Sequence, residues 1–127
     1  MSSIVKRRPK HLDLAKIRLP MPGFVSILHR VSGVLMFLLI PLCLYLLERS
    51  LSSAATYEGM VAFVAHPIVK LVLLALLWAF LHHLCAGIRF LLLDLHIGGE
   101  LAAARSSSAA VLAVSLILTA VLGVKLW

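Results

Sequence analysis

Acidic residues are scarce in this chain. Asp13, Glu48, Glu58, Asp94 and Glu100 are all it has in 127 positions, and charged residues of both signs make up only 13%. A soluble domain normally carries about a quarter of its residues as charges, so the chain cannot build a soluble surface. Cysteine is equally sparse. Cys43 and Cys85 each lie inside an apolar run, and no C-x-x-C or C-x-x-C-H spacing occurs. Neither a zinc ribbon nor covalently attached c-type haem is indicated, and both cysteines read as small apolar packing residues. A dinucleotide fingerprint and a cysteine cluster for iron–sulfur ligation are also missing. The first 22 residues lack the apolar core of a secretory signal and do not form a long Ser- and Arg-rich transit sequence. The expectation is a bacterial protein inserted by its own spans. No internal repeat and no low-complexity tract is present.

What the chain has in abundance is apolar side chains. They make up 62% of it, and the mean hydropathy is +1.08. The bilayer must then be the solvent, and 127 residues allow one domain of a few spanning helices. The net charge of +7 is no nucleic-acid footprint. The basic residues are not interleaved with aromatics on a polar surface but flank the apolar runs, as the positive-inside bias predicts.

Residues 1–22 read as a basic arm with Lys6, Arg7, Arg8, Lys10, Lys16 and Arg18. Pro9, Pro20 and Pro22 argue against one continuous helix there. Leu12, Leu14, Ile17 and Leu19 are spaced to lay a short amphipathic segment on the membrane or a partner; the alternative is a solvated basic tail beside anionic lipid. Residues 23–127 read as a transmembrane anchor domain with three spans, over about 23–48, 67–94 and 106–125. Pro41 is expected to kink the first. Pro67 is a good first-turn residue for the second. Lys125 and Trp127 are interface anchors for the third. Residues 49–66, rich in Ser and Ala, read as a loop.

Two stretches carry chemistry. In the first, Ser26, His29, Arg30 and Gly33 recur at i, i+3, i+4 and i+7, one face of a helix, at the start of an apolar run. Ionisable groups in a span are costly and usually face a partner, a cavity or a cofactor. The alternative for Arg30 is a side chain that snorkels to the interface. The second is His82-His83-Leu84-Cys85-Ala86-Gly87-Ile88-Arg89. On a helix His83 shares a face with Ala86, Gly87, Phe90 and Asp94. Small residues one turn from a histidine would let a flat macrocycle approach, and histidine is a standard axial ligand of haem iron. His82 points about 100° away. The alternative for either histidine is a helix–helix hydrogen-bond partner. Counting from the span ends puts His83 roughly 16 Å deep and His29 and Arg30 shallower on the same side. A haem held by His83 would then turn its propionates towards His29 and Arg30. The unequal depths argue against a His29–iron–His83 pair within the chain, so a second axial histidine would come from another chain.

Arg8-Pro9 with Leu12-Asp13-Leu14, the run Ser26-Ile27-Leu28-His29-Arg30-Val31-Ser32-Gly33, and His83 with Gly87-Ile88-Arg89 and Asp94 together resemble the larger cytochrome b membrane-anchor subunit of bacterial succinate dehydrogenase, respiratory complex II. The resemblance covers nearly the whole chain. It implies an all-α integral membrane protein of three transmembrane helices, forming half of a heterodimeric haem-binding bundle with a second small anchor subunit that supplies the other haem histidine. It implies an anchor for the iron–sulfur and flavoprotein subunits in the bacterial inner membrane. By the same resemblance His83 is the haem b axial ligand, His29 and Arg30 contact the haem propionates, and Ser26 and Arg30 belong to the ubiquinone site. Phe90 departs from the pattern, since close relatives can carry histidine there. Chemically, a hydroxyl such as Ser26 donates to a quinone carbonyl, and a permanent cation such as Arg30 stabilises the negative charge that reduction places on the oxygen. The alternatives are a fumarate reductase anchor and a cofactor-free assembly or transport component.

Three spans place the termini on opposite sides. Nine Lys and Arg fall on the N-terminal side, the six of the arm with Arg30, Arg89 and Arg105; Arg49, Lys70 and Lys125 fall on the other. The N-terminus is therefore expected in the cytoplasm. A periplasm-dependent reporter fused after Trp127 should be active, and a cytoplasmic-type signal there would overturn the orientation.

Overall fold

The computed structural model describes Asp13 and residues 16–127. Four helices follow in order: α1 (Met21–Ser52), α2 (Ala54–Ala65), α3 (Pro67–Asp94) and α4 (Leu101–Leu126). No strand occurs among the described residues. Helices α1, α3 and α4 are each long and apolar enough to cross a membrane, with mean hydropathies of 2.2, 2.1 and 2.3 over their most apolar windows. The chain is an all-α, multi-pass membrane protein. Most of the basic arm, residues 1–12, 14 and 15, lies outside the described residues. Of its apolar positions, Ile17 and Leu19 are exposed.

Helix α3 begins and ends at the expected residues. Pro67 opens it at the first turn, where its missing N–H is no loss, and His66 caps it by accepting from the Ile68 N–H through Nδ1 at 3.3 Å. It ends in a Schellman turn. The His96 N–H donates to the Leu93 carbonyl at 2.9 Å and the Ile97 N–H to the Leu92 carbonyl at 3.0 Å, with His96 at φ 61°. Helix α1 starts at Met21 and continues through Pro41 to Ser52.

The reading of 49–66 as a loop is corrected. Helix α1 uses the first four of these residues, with the Ser50 and Ser52 hydroxyls donating back to the Leu47 and Glu48 carbonyls. Helix α2 takes most of the rest. Ser53 starts it with a reciprocal cap, accepting from the Thr56 N–H at 3.2 Å while its own N–H donates to Thr56 Oγ1 at 3.0 Å. Alanine then favours helix. At 12 residues, about 18 Å, α2 is too short to span. Helix α4 also starts earlier than expected, at Leu101. Arg105, just before the expected span, is an exposed residue on the helix.

The interior is small and largely polar. Among the described residues, Val25, Ala79, Leu81, Ala86 and Val111 are buried apolar residues, and Ser32, His82, Arg89, Ser108, Ser115 and Thr119 are buried polar ones. Large apolar side chains face outward instead, with Phe37 72% exposed. This inversion suits a lipid solvent, where small and hydroxyl-bearing residues bring helices together. The hydroxyls of Ser108, Ser115 and Thr119 on α4 all donate to carbonyls of their own helix, leaving a smooth seam against the neighbouring helices. Helix α3 is tied to α4 by Arg89, whose Nε donates to Ser107 Oγ at 2.9 Å and whose Nη2 donates to the Ala104 carbonyl at 3.3 Å.

Candidate functional site

The site forms where α1 crosses α3. Val25 and Ala86, both fully buried, set the contact with Val111 of α4. One to two turns along α1, the helices approach closely enough that each histidine lies over a glycine of the other. A Cβ added at Gly33 would stand 3.0 Å from His83 Cε1, and one added at Gly87 would stand 3.6 Å from His29 Nε2. The His29 and His83 rings stack with centroids 4.0 Å apart and planes 12° apart. Phe90, one turn beyond Ala86, meets His29 edge-on at 5.1 Å.

Two expectations change here. The first is depth: His29 is level with His83, not shallower. His29 lies eight residues, about 12 Å, into α1, and His83 lies about 16 Å from the end of α3. The C-terminal end of α3 extends a few ångströms beyond the N-terminal end of α1, which cancels the difference. Stacked rings do not point nitrogens at each other, so the unequal depths are no longer the argument against a His29–iron–His83 pair. The second is the small-residue face beside His83. Ala86 is packed into the core and Gly87 lies beneath His29, so these residues admit α1 where a macrocycle was expected.

The hydrogen bonds of His83 define its chemistry. Nδ1 lies 3.0 Å from the His29 carbonyl oxygen and 3.1 Å from Ser32 Oγ. A carbonyl oxygen only accepts, so Nδ1 carries the proton and the lone pair is on Nε2. Nε2 makes no hydrogen bond among the described residues and is not sealed from the surface. A neutral imidazole with its Nδ1–H given to a backbone carbonyl is the usual form of a metal-ligating histidine. His82 contrasts with it at every point. It is 1% exposed, both its ring nitrogens are sealed, and the polar group it meets is the Val25 backbone, with Trp78 beside it at a ring distance of 5.4 Å. A group held between this chain and another could be reached by His83 but not by His82.

Ser26 and Arg30 stand one turn apart on α1, either side of His29 in sequence. Ser26 is half-buried, and Arg30 is exposed beside Val31, Val34 and Leu35. Neither hydrogen-bonds to His83, whose partners are Ser32 and the His29 carbonyl. Serines elsewhere in the helices donate back to a carbonyl of their own helix, as do Ser32, Ser106 and Ser107. Ser26 is the one described serine that makes no hydrogen bond, so its hydroxyl is available to a ligand. Arg30 likewise forms no ion pair among the described residues. Two residues escaped the sequence reading. In the sequence Arg89 stands out only by its run and its charge, and Ser32 only as a member of the run that carries the resemblance. The signal for Ser32 was its place three residues after His29, where a helical hydroxyl reaches back to the carbonyl.

Residues 5–122 match the family described as succinate dehydrogenase/fumarate reductase transmembrane subunit. The chain is 38% identical over 122 residues to the succinate dehydrogenase cytochrome b556 subunit of Coxiella burnetii, covering 95% of this chain and 98% of that one. It is 31% identical over 122 residues to the subunit of the same name from Rickettsia felis, covering 95% and 94%. With that from Paracoccus denitrificans it shares 31% over 111 residues, covering 87% and 85%. The chain belongs to this family, as a cytochrome b anchor of the succinate dehydrogenase type.

The close approach at Gly33 gives the anchor subunit a sensitive position. Gly33→Ala should push the His83 ring by a few tenths of an ångström, because 3.0 Å is tighter than nearly all Cβ contacts. Gly87→Ala has ordinary contact distance to His29. In NMR spectra of the subunit carrying nitrogen-labelled histidine, Gly33→Ala should move the His83 ring resonances while Gly87→Ala leaves them nearly in place. Equal shifts in the two variants would contradict this packing.

Proposed function

We propose that this chain is the cytochrome b membrane anchor through which succinate dehydrogenase delivers electrons to ubiquinone. The observation that carries the reading is His83: its Nδ1–H is committed to the His29 carbonyl, and its Nε2 is left accessible. That fits an axial ligand of haem b, the group named in the cytochrome b556 relatives. When bound, the haem supplies a one-electron carrier close to the quinone. A second haem histidine would come from another small anchor subunit, because no other described histidine of this chain is aimed at the same point. The bundle's meagre core and exposed apolar faces support a neighbour of that kind. His29 and Arg30 would hold the haem propionates, two donors for two carboxylates.

Ser26 and Arg30 serve the quinone. The Ser26 hydroxyl, unused by its own helix, donates to one carbonyl oxygen. The Arg30 guanidinium stays charged at any working pH and stabilises the negative charge that reduction places on that oxygen, in a setting of low dielectric. Both residues sit near the end of α1 that faces the cytoplasm in the orientation of nine basic residues against three. There the iron–sulfur subunit would dock, itself supplied by the flavoprotein that oxidises succinate. No residue of this chain performs that oxidation. The named relatives are succinate dehydrogenase subunits, which favours succinate oxidation over fumarate reduction as the physiological direction. The setting is the bacterial inner membrane.

Ser26→Ala removes one donor with little change in packing. A hydrogen bond to a group that becomes charged is worth about 1.5–3 kcal/mol, or roughly tenfold or more in rate. Arg30→Lys keeps the charge but loses the planar fork. Both should slow succinate-driven ubiquinone reduction about tenfold while succinate oxidation by a water-soluble artificial acceptor stays near normal in the same membranes. A parallel fall of the two activities would place the damage in assembly, and no change in either would remove Ser26 from the site.

A further inference from the structure

Ser32 is buried, with 4% of its surface exposed, at the centre of the α1–α3 contact. Its hydroxyl has two neighbours at once. Oγ lies 2.8 Å from the His29 carbonyl oxygen on its own helix and 3.1 Å from His83 Nδ1 on the other. A hydroxyl has one proton and two lone pairs. The carbonyl can only accept, so the Ser32 proton goes to it. The lone pairs of Oγ then face His83 Nδ1, which carries its own proton. Were Nδ1 unprotonated, its lone pair would be pressed against the carbonyl oxygen at 3.0 Å. The arrangement closes only one way: Nδ1–H shared between two oxygens, with those oxygens joined by the Ser32 proton.

We infer that Ser32 is a positioning residue for the haem ligand, and that its hydroxyl and the His29 carbonyl together hold the His83 ring in one tautomer and one rotation with only Nε2 offered to the iron. The inference rests on the proposed ligand role of His83. A serine that bonds back to the carbonyl three residues earlier is common in helices and by itself means little. Ser106 and Ser107 do so, yet neither reaches a histidine. Ser32 differs because the same oxygen spans to the facing helix and meets the one ring nitrogen whose proton decides which lone pair is free. Neighbouring Gly33 strengthens the case. The His83 ring edge rests on Gly33, so the ring is bounded by backbone on one side and by two oxygens on another. A group accepting from the far nitrogen of an imidazole also raises its basicity, and loss of such a partner typically costs 10- to 100-fold in metal affinity. One acceptor remains when Ser32 is removed, so about tenfold is expected. A less basic imidazole favours the ferrous over the ferric form, so the midpoint potential should rise.

The test uses the intact complex purified in mild detergent. Ser32→Ala should release haem to an excess of a haem-scavenging apoprotein about tenfold faster than the parent, and redox titration should show a higher midpoint potential. Ser32→Thr, which restores a hydroxyl, should return both towards the parent values. If Ser32→Ala matches the parent in release and potential while His83→Ala abolishes the low-spin haem signal, Ser32 only closes its own helix turn and the inference fails alone. If His83→Ala keeps that signal unchanged, the ligand assignment fails and this inference fails with it. Should Ser32→Ala not assemble, Ser32→Cys, similar in size with a weaker hydrogen bond, is read by the same outcomes.

Discussion

The site depends on one close approach, that of α1 to α3 at Gly33 and Gly87. A side chain at Gly33 would press on the His83 ring, and one at Gly87 would fill the space left against His29. Without them the backbone carbonyl of His29 comes within hydrogen-bonding distance of a side chain on the other helix, at 3.0 Å. That contact fixes the proton on His83 Nδ1 and frees Nε2. The stacked imidazoles, the buried Ser32 and the edge of Phe90 all follow from the same crossing. Glycine matters here for what it leaves out, since neither position needs an unusual backbone angle.

The bilayer imposes the second constraint. Lipid gives no reward for burying leucine between helices, so the interior is assembled from small and polar residues whose hydrogen bonds water cannot satisfy. Arg89 is the extreme case, 6% exposed, with neutral oxygens of α4 as its hydrogen-bond partners and the Phe90 ring 5.4 Å from its guanidinium carbon. It fixes the α3–α4 angle near the end where the site lies. His82 is its counterpart, a sealed imidazole whose polar neighbour is the Val25 backbone of α1. Its burial within this chain's own bundle is what separates it from His83, although the two are adjacent in sequence.

Much of this was legible from residue order. Apolar run lengths located the spans, and Pro67 with Asp94 bracketed α3 correctly. The helical spacing of His29 and Gly33, and of His83 and Gly87, marked the right faces. Three things were not legible. Helix α2 was hidden because Ser53 and Thr56 cap each other without the acidic residue that usually advertises a capping box. The depth of His29 was misjudged because counting from span ends assumes that the helices end level. The use of Ala86 and Gly87 was misassigned because a small residue beside a histidine admits a helix as readily as a macrocycle, and only the packing of α1 against α3 distinguishes the two.

The central claim is that His83, held through Nδ1, offers Nε2 to a haem shared with another chain. An experimental map of the assembled complex, at a resolution that separates the two adjacent histidines, tests it most directly. The account predicts iron on Nε2 of His83, Nδ1 still on the His29 carbonyl, and the opposite axial position filled by a histidine of a second subunit. Iron bound to His82 or to Nδ1 of His83, or both axial ligands drawn from this chain, would contradict it.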